Sequence, residues 1–366
     1  MKVLFANDDL NRGGTETLIC DTFKYAQSYR EPELGSLDLL LQRGNGGYAP
    51  ELVSAHANVF VIPRGNLFDL GFLMRVRRLL KERKYDIVHS HSTTLGIYLW
   101  LAKIGLRVKL VQTIHGFWDR RCPEGKLKLK VYLTTVVMSY LADATLCVSE
   151  YLKLEATKSL LRKTLLFVVY NGVDFEKFRQ APTRYTSNLS TPIFGMVGSL
   201  SNVRDHECLM RAFETVLHSY PQAKLKFAGD GVLRSHLEKL VRELKMENSV
   251  EFLGTVSDVA GFLVSIDCFV YSSNSDTFGI AVIEAMGAGV PVIVSDNGPF
   301  PELTMNGKYG RLFRAHDPSH LAKEMQEFIH DPTSFQSQAS EAQVYSQRTF
   351  SIESHVEALL AVYSVI

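Results

Sequence analysis

The sequence predicts an α/β protein of two domains, each with a doubly wound parallel β-sheet and helices on both faces. The chain has 366 residues, which is more than one domain commonly holds. Short β-branched runs alternate with longer amphipathic segments, as they do in β–α–β units. The short runs lack a polar–apolar alternation, which is typical of strands that are buried on both faces. Together these observations indicate parallel sheets between layers of helices.

The strand candidates form two groups. In the first half they are Val3–Ala6, Leu37–Leu41, Val59–Ile62, Ile87–His89, Lys109–Thr113, Thr145–Val148 and Leu166–Tyr170. In the second half they are Ile193–Val197, Leu225–Ala228, Val250–Phe252, Cys268–Tyr271, Val292–Val294 and Arg311–Phe313. Clear amphipathic helices lie between the later strands, at Leu209–Val216 and Leu233–Leu244. Two such groups fit two domains better than one.

A polar segment marks the expected domain boundary. Gln180–Pro192 contains Pro, Ser and Thr without an apolar period and precedes a new strand, as a linker does. We therefore predict a first domain over residues 1–180 and a second over residues 190–349. A last helix, Ile352–Val365, follows a break near Arg348.

The cysteines and the N-terminus argue against several protein classes. No two cysteines have C-x-x-C spacing, which disfavours a disulfide framework and structural zinc. The cysteines are Cys20, Cys122, Cys147, Cys208 and Cys268. The apolar run at the N-terminus is too short for a signal peptide, and no stretch reaches the roughly 20 apolar residues of a spanning helix. We expect buried thiols and a cytoplasmic location.

Charge is unevenly distributed. Residues 1–180 carry 26 Lys and Arg against 18 Asp and Glu, whereas residues 181–366 carry 14 against 21. Two stretches of the first half concentrate the basic side chains: Arg75, Arg77, Arg78, Lys81, Arg83 and Lys84, then Arg120, Arg121, Lys126, Lys128 and Lys130. Such a surface can contact an anionic membrane, but a solvated helix face gives the same pattern, and both interpretations stay open. We expect no nucleic-acid partner.

The loops after the strands are the expected ligand sites, because doubly wound sheets bind ligands beyond the carboxyl ends of their strands. After the first strand, Gly13 and Gly14 precede a helix whose N-terminal amides can face an anion. The spacing is not G-x-G-x-x-G and no Walker lysine follows, so a dinucleotide cofactor is disfavoured. A plain turn remains the alternative.

Histidines follow two other strands of the first half. His115 comes after a strand and before a glycine, so it can donate a hydrogen bond to a phosphate or a sugar hydroxyl. His89 is expected to lie at a strand end within the core. His89 and His91 lack a third ligand, and the chain has no D-x-D pair. We therefore predict no metal site.

In the second half, Arg204 lies where a helix should begin after the first strand. A cation there can clamp a diphosphate and stabilise it as a leaving group, although a surface arginine is the plain alternative. Gly229 and Phe252–Gly254 form tight turns after the next two strands. A nucleotide base can lie against such backbone.

The segment after the strand end at Tyr271 carries the strongest signal. A polar loop leads to a helix over about Ile280–Ala288, whose N-terminus at Phe278–Ala281 can receive a phosphate. Asp276 precedes that end, and Glu284 lies one turn inside it, within reach of a ribose. Burying Glu284 without a partner among its apolar neighbours would be costly, which favours a role in ligand binding.

In order and spacing, these segments resemble the retaining glycosyltransferases of family 4. Those enzymes have the GT-B architecture, in which two Rossmann-like domains face each other across a cleft. The resemblance runs nearly end to end, and the ordered set is specific although each motif alone is weak. The motifs are Gly13–Glu16, Thr113–Gly116, Ala142–Ser149, Asn171–Asp174, Val197–Leu200 with Arg204, Gly229–Gly231, Phe252–Gly254 and the acid-x7-acid segment Asp276–Pro291.

The resemblance implies that the first domain, completed by a helix over residues 350–366, binds the acceptor, and that the second binds a nucleotide-sugar donor. The implied catalytic residues are His115, Arg204 and Asp276. The implied donor-binding residues are Gly13, Gly14, Ser199, Arg204, Gly229, Phe252, Leu253, Asp276, Phe278, Gly279, Ile280, Ala281 and Glu284. Among these, Arg204 would bind the diphosphate, Asp276 the sugar hydroxyls and Glu284 the ribose.

Two positions depart from the family pattern. Ser199 stands where members usually have arginine, so one cation for the diphosphate is missing. Asp276 stands where the first acid is usually glutamate, and its side chain is one methylene shorter. The shorter side chain is expected to alter which sugar is recognised or how fast it is transferred.

The sequence thus predicts transfer of a sugar from a nucleoside diphosphate to an acceptor hydroxyl, with retained configuration and with no metal or other cofactor. We expect a carbohydrate or lipid-linked acceptor and a role in glycan, polysaccharide or glycolipid biosynthesis. Peripheral membrane contact through the basic first domain is a hypothesis, with a solvated helix face as its alternative. The alternatives are a nucleotide-sugar epimerase of the same architecture and a non-catalytic nucleotide-sugar-binding protein.

Overall fold

The computed structural model divides into two compact units. Unit 1 comprises Met1–Gly172 and Ile352–Ile366, and unit 2 comprises Val173–Ser351. The structure describes residues 1–10, 13–28, 34–43, 58–66, 69–116, 125–162, 164–178 and 190–366, with no side-chain description for 125–128 and 130. Most of the predicted linker, Gln180–Pro192, lies outside these residues.

Unit 1 is built on a parallel sheet with the strand order β3-β2-β1-β4-β5-β6-β7. Its strands are β1 (Lys2–Asn7), β2 (Ser36–Leu41), β3 (Asn58–Val61), β4 (Ile87–Ser90), β5 (Lys109–Ile114), β6 (Ala144–Cys147) and β7 (Leu166–Val168). Its helices up to residue 172 are α1 (Gly14–Ser28), α2 (Leu70–Arg83), α3 (Thr93–Lys103), α4 (Gly125–Val136) and α5 (Glu150–Thr157). A π-helical turn, Val137–Leu141, continues α4.

Unit 2 repeats this plan with the strand order β10-β9-β8-β11-β12-β13. Its strands are β8 (Ile193–Val197), β9 (Lys224–Ala228), β10 (Val250–Gly254), β11 (Cys268–Tyr271), β12 (Val292–Ser295) and β13 (Arg311–Phe313). Its helices are a 3-10 helix (Phe175–Phe178), α6 (His206–Ser219), α7 (Arg234–Glu243), α8 (Val259–Val264), α9 (Ile280–Gly287), α10 (Phe300–Leu303), α11 (Pro318–His330) and α12 (Pro332–Thr349).

The two-domain α/β prediction is confirmed, and each predicted strand is present. The inner strands β1, β4, β6, β11 and β12 are buried over nearly their whole length. Burial on both faces requires apolar side chains at successive positions, and this explains the missing alternation in the sequence. Both sheets have helices as connections between neighbouring parallel strands, as the alternating pattern predicted.

The last helix, α13 (Ile352–Val365), belongs to unit 1. Its side chains Leu359 and Tyr363 pack in one apolar cluster with Phe5 and Phe23. The chain leaves unit 1 after Gly172, earlier than the composition suggested. The reason is that Val173 donates its N–H to the Phe350 carbonyl, so the segment after Gly172 is already tied to unit 2.

The described cysteines are buried and form no disulfide: Cys20, Cys147, Cys208 and Cys268. The prediction for Cys122 falls outside the described residues. Burial raises the pKa of the Cys147 and Cys208 thiols to about 12, so both stay protonated and act as core side chains. In the described part of the chain, no helix combines the length and the apolar character needed to cross a bilayer.

Candidate active site

The strand order of unit 2 reverses between β8 and β11, and ligands of doubly wound sheets bind outside the strands at such a switch point. The loops that leave these two strands run beside each other. Arg204 forms an antiparallel bridge with Ser273, and the Asn274 N–H donates to the Val203 carbonyl over 3.1 Å. The fold thereby brings together two segments that the sequence analysis selected separately.

Arg204 is held in this place from several sides. Its Nη2 lies 3.2 Å from Asp276 Oδ2, and its Nη1 donates to the Ser275 carbonyl over 3.4 Å. The guanidinium carbon stands 5.0 Å from the centre of the Tyr271 ring, a cation–π distance. Its Nε is buried and has no hydrogen-bond partner among the described residues. Arg204 is therefore an oriented cation and not a freely solvated one.

Asp276 is the second member of this cluster. The Tyr271 hydroxyl donates to Asp276 Oδ2 over 3.0 Å. On the other oxygen, Oδ1, Asp276 accepts the N–H groups of Thr277 and Phe278 at 2.7 and 3.2 Å. Burial, and then the Asp276 charge, raise the pKa of Tyr271 well above its usual value, so its hydroxyl stays protonated. These bonds fix the carboxylate at the entrance to α9.

The N-terminus of α9 has the form of an anion site. Gly279 precedes the helix with φ of 83° and provides no side-chain cap, so the first amides, those of Ile280 and Ala281, face no capping side chain. A helix N-terminus of this kind favours a negative charge. Glu284 is half-buried one turn further on, close enough for its charge to raise the pKa of Tyr271.

The other predicted donor residues of unit 2 lie at the carboxyl ends of β8, β9 and β10. A Cβ atom on Gly229 would stand 1.9 Å from the Gly198 carbonyl oxygen, so close packing of the two loops alone demands glycine there. Ser199 is exposed and hydrogen-bonds Ser201 through its hydroxyl over 2.9 Å. Phe252 stacks on Phe227, with ring centres 5.3 Å apart. Leu253, the next residue, is exposed. Their contact with a donor stays a prediction.

In unit 1 the strand order reverses between β1 and β4. Gly13 and Gly14 follow β1, and α1 begins at Gly14. A Cβ on Gly13 would stand 2.4 Å from Glu16 Oε2, so the loop and this carboxylate are in close contact. Burial raises the pKa of Glu16, while a hydrogen bond from Asn7 lowers it.

Three histidines form a stack at the carboxyl ends of β4 and β5, with His89 inside β4 and the other two just after the strands. The ring centres of His89 and His91 are 4.5 Å apart, and those of His91 and His115 are 5.1 Å apart. His91 Nδ1 and His115 Nε2 share a hydrogen bond of 2.8 Å. His89 is buried, as predicted, and contacts Thr113 and the Tyr363 hydroxyl through its two ring nitrogens.

The stacked imidazoles are neutral at physiological pH. Burial, followed by repulsion from His355, lowers the pKa of His115 to about 3. Burial and the neighbouring histidines also lower the pKa of His89 and of His91 well below the usual value. Among the described residues no group of three or more His, Cys, Asp or Glu side chains is arranged to hold a metal ion. A neutral His115 can donate one hydrogen bond and accept another.

Three residues that complete these clusters do not follow from the sequence. The pattern marks Tyr271 only as the end of a strand, yet its hydroxyl orients Asp276. It marks His91 only as a possible metal ligand, yet His91 is hydrogen-bonded to His115. Tyr363 comes from the last helix. The signal available for Tyr271 and His91 was their place at the carboxyl ends of β11 and β4.

Two family models and several known proteins match this chain. The chain matches the family model "Glycosyltransferase Family 4" over residues 12–177 and "Glycosyl transferases group 1" over residues 177–345. It is 27% identical over 292 residues to the N-acetyl-alpha-D-glucosaminyl L-malate synthase of Bacillus anthracis, covering 78% of this chain and 75% of that protein. It is 28% identical over 245 residues to an Escherichia coli UDP-Gal:alpha-D-GlcNAc-diphosphoundecaprenol alpha-1,3-galactosyltransferase, covering 62% of each.

The fold is also similar to solved structures. Anabaena HepE, crystallised with UDP and glucose, superimposes with a TM-score of 0.83 at 20% identity, covering 100% of both chains. At this identity the likeness supports the architecture alone. The two family models, however, follow each other along the chain from residue 12 to residue 345. The chain therefore belongs to the family 4 glycosyltransferases and has the GT-B fold.

Proposed function

We propose that this glycosyltransferase moves a sugar from a nucleoside-diphosphate sugar to an acceptor hydroxyl and retains the anomeric configuration. The observation that carries the proposal is the placement of Arg204 and Asp276 beside the uncapped N-terminus of α9, at the switch point of unit 2. A cation and a helix N-terminus together suit a diphosphate. The adjacent carboxylate suits the hydroxyls of a sugar attached to it.

Unit 2 is the proposed donor-binding domain. Arg204 binds the diphosphate, the amides of Ile280 and Ala281 hold its distal phosphate, and the Glu284 carboxylate accepts hydrogen bonds from the ribose. When the bond to the sugar breaks, negative charge grows on the departing diphosphate. Pre-oriented donors such as Arg204 and the helix amides stabilise that charge, each by about 3 kcal/mol in comparable sites.

Unit 1 is the proposed acceptor-binding domain, and it contributes His115 and the Gly13–Gly14 loop to the reaction. Because His115 and His91 are both neutral and share one proton in their hydrogen bond, they must adopt complementary tautomers. His115 is thus suited to hydrogen-bond a sugar hydroxyl rather than to neutralise a phosphate. We propose attack on the same face from which the diphosphate leaves, with the diphosphate accepting the acceptor's proton.

The names of relatives suggest candidates for the two substrates. HepE was crystallised with UDP and glucose, and the E. coli relative is named for a UDP-Gal donor and a diphosphoundecaprenol-linked acceptor. We therefore propose a UDP-sugar as the first donor to test, and a carbohydrate or a lipid-linked sugar as the acceptor. Peripheral membrane contact through basic side chains of unit 1 fits the second acceptor class.

The basic stretches of unit 1 are only partly free for such contact. On α2, Arg77 donates to the carbonyls of Ala102 and Ile104 at the end of α3, and Arg83 stacks on Phe60. The exposed basic side chains on α2 and at its end are Arg75, Arg78, Lys81, Arg83 and Lys84, and Arg78 is paired with Glu82 over 2.6 Å. Arg120 and Arg121 lie outside the described residues, as do the side chains of Lys126, Lys128 and Lys130.

A thermal-shift screen followed by product analysis tests the function. UDP should raise the melting temperature more than GDP or ADP, because ligand binding stabilises the folded state. Arg204→Ala should abolish the shift, whereas Arg211→Ala, an exposed arginine on α6, should keep it. With the donor identified, NMR of the product should show retained anomeric configuration. An inverted product would refute the retaining assignment, and isomerisation of the donor without an acceptor would indicate an epimerase.

A further inference from the structure

Unit 1 contains an apolar groove between α2, α3 and α4 that has no part in the chemistry described above. Its volume is about 520 Å³, which is within the range of small-molecule sites. Side chains from all three helices line it: Leu70, Leu73, Ile97, Leu101, Leu129 and Leu133. The groove begins beside Asp69 and Thr94, where α2 and α3 start. In a doubly wound sheet these helix starts lie at the carboxyl edge of the strands, which is the ligand edge.

The helices of the groove expose large apolar side chains. Of the lining residues, Leu70 is 69% exposed and Leu129 55%; Met74 on α2 is 59% exposed and Tyr132 on α4 58%. A contiguous exposed apolar patch of this kind usually marks a site that another molecule covers. Most of the lining is aliphatic, with Asp69, Thr94 and Tyr98 as the other lining residues, so the group that covers it is itself largely apolar.

Arg64 adjoins this groove. The Arg64 guanidinium carbon stands 5.5 Å from the centre of the Tyr98 ring, and Tyr98 is part of the groove wall. Arg64 Nη1 is buried, yet it has no hydrogen-bond partner within the described ranges. A buried donor without a partner calls for an explanation, and a guanidinium is well suited to bind a phosphate oxygen.

The Asp69 carboxylate in the groove lining has partners other than Arg64. Asp69 accepts the N–H groups of Gly65 and Phe72 over 2.9 and 2.7 Å, and its partner in charge is Arg75, at 4.0 Å. Further out on α2, Arg78 and Lys81 are exposed. An apolar groove with an arginine at its side and basic residues beyond it complements an anionic amphiphile.

We propose that this groove binds the hydrocarbon chain of a lipid-phosphate acceptor, with Arg64 on its phosphate. The proposal rests on the proposed function, since it names the acceptor class of the same enzyme. It places the lipid-binding residues on unit 1, at the sheet edge that also carries His91 and His115. The phosphate end of the lipid, to which the acceptor sugar is attached, lies at Arg64, and the chain extends along α3 from Thr94 toward Leu101.

Direct binding of a single-chain probe tests the proposal. Geranylgeranyl phosphate should bind the full-length protein in calorimetry below its critical micelle concentration, and inorganic phosphate should not. Leu70→Asp should weaken this binding at least about tenfold, because a carboxylate in the groove repels the chain. Leu154→Asp, at an exposed leucine of α5 outside the groove, is the matched control and should bind as the wild type does.

Arg64→Gln isolates the phosphate contact. It should reduce binding of geranylgeranyl phosphate about tenfold or more but leave binding of geranylgeraniol unchanged, because the alcohol carries no phosphate. All variants should keep the wild-type melting temperature. Equal affinity of wild type and Leu70→Asp for geranylgeranyl phosphate would overturn the proposal. An affinity for geranylgeranyl phosphate that Arg64→Gln leaves unchanged would overturn it as well.

UDP binding, measured in the same samples, separates this proposal from the proposed function. The groove variants should bind UDP as the wild type does, because their substitutions lie in unit 1. Wild-type protein that binds UDP but not geranylgeranyl phosphate would overturn the lipid proposal alone. Protein that binds the lipid but no nucleoside diphosphate would overturn the proposed function and leave the groove assignment standing.

Discussion

Arg204 Nη2 lies 3.2 Å from Asp276 Oδ2, and both side chains are largely enclosed, with 16% and 13% of their surface exposed. The two groups proposed to handle the diphosphate and the transferred sugar are thus paired with each other before a donor arrives. A donor diphosphate must compete with Asp276 for the guanidinium. The glutamate usual in the family is one methylene longer, so its carboxylate would reach further from the backbone. The length of the Asp276 side chain therefore sets how closely its carboxylate approaches the Arg204 guanidinium, which the diphosphate must also contact.

Asp276→Asn should therefore separate binding from turnover. Removing the carboxylate charge frees Arg204, so we expect the affinity for UDP to stay equal or to rise by up to about tenfold. The turnover number should fall by about 10²-fold or more, because the asparagine no longer presents a charged acceptor to the sugar hydroxyls. Calorimetry with UDP and initial rates with the identified donor measure the two effects.

The control for this variant is Glu243→Gln, which removes the charge of an exposed carboxylate of α7 that lies 3.4 Å from Lys239 in the same unit. It should change neither UDP affinity nor turnover. A loss of UDP affinity in Asp276→Asn with unchanged turnover would contradict the assignment of Asp276 to the sugar.

Glu284→Gln should weaken the nucleotide through the ribose. We expect about tenfold lower affinity for UDP, because a charged acceptor of two hydroxyl protons becomes an amide with one acceptor oxygen. Deoxy analogues of UDP that lack ribose hydroxyls should bind wild type about as weakly. The decisive measurement is the double cycle: the variant should lose little further affinity for the deoxy analogues. Additive losses would place Glu284 away from the ribose.

The strands and the loops after them can be predicted from short stretches of sequence, whereas contacts between distant side chains cannot. Apolar runs predict the strands. The rule that ligands bind beyond the carboxyl ends of strands points to Arg204, Asp276 and His115. The pairing of Arg204 with Asp276 depends on β8 lying next to β11. Composition does not determine that strand order.

The contacts of the stacked histidines are even less predictable from the sequence. The contact of His91 with His115 follows from β4 lying beside β5. His89 reaches Tyr363 only because the last helix packs on unit 1. Burial of these rings, and hence their shifted pKa values, is a property of the assembled core. A single-sequence pattern shows a histidine at a strand end but not how deeply its ring is covered.

These histidines predict that acid destabilises the fold. Burial lowers the pKa of His115 to about 3 and of His355 to about 4, and it lowers those of His89 and His91 as well. In the unfolded chain they titrate near pH ~6.5. Below that pH the unfolded state binds protons that the folded state does not, so stability is fully present above pH ~6.5 and is lost as the pH falls toward the folded pKa values.

Urea unfolding between about pH 7.5 and about pH 5 measures this effect. The slope of the free energy of unfolding against pH should approach about 1.4 kcal/mol per pH unit for each histidine that stays neutral in the folded state. His355→Asn should reduce the slope by one such contribution. Stability that does not depend on pH in this range would show that these rings accept protons in the folded state.

Gly279→Ala should damage both the fold and the phosphate site, because two constraints meet there. Its φ of 83° is in the left-handed region, and an added Cβ would stand 2.7 Å from Phe300 Cε1. Gly105→Ala is the matched control, since Gly105 has φ of 74° and no atom within 4 Å of the Cβ position. The control should cost about 1 kcal/mol for the backbone alone.

Gly279→Ala should cost roughly 1–3 kcal/mol more than the control, because the buried Phe300 ring must move. The start of α9 moves with it, so UDP affinity should fall in this variant and not in Gly105→Ala. In a double-variant cycle, Phe300→Leu should lower the cost of Gly279→Ala, since the shorter side chain removes the ring atom in the way. Equal destabilisation by the two glycine substitutions would mean that the ring yields freely. The requirement for glycine before α9 would then come from its backbone conformation alone.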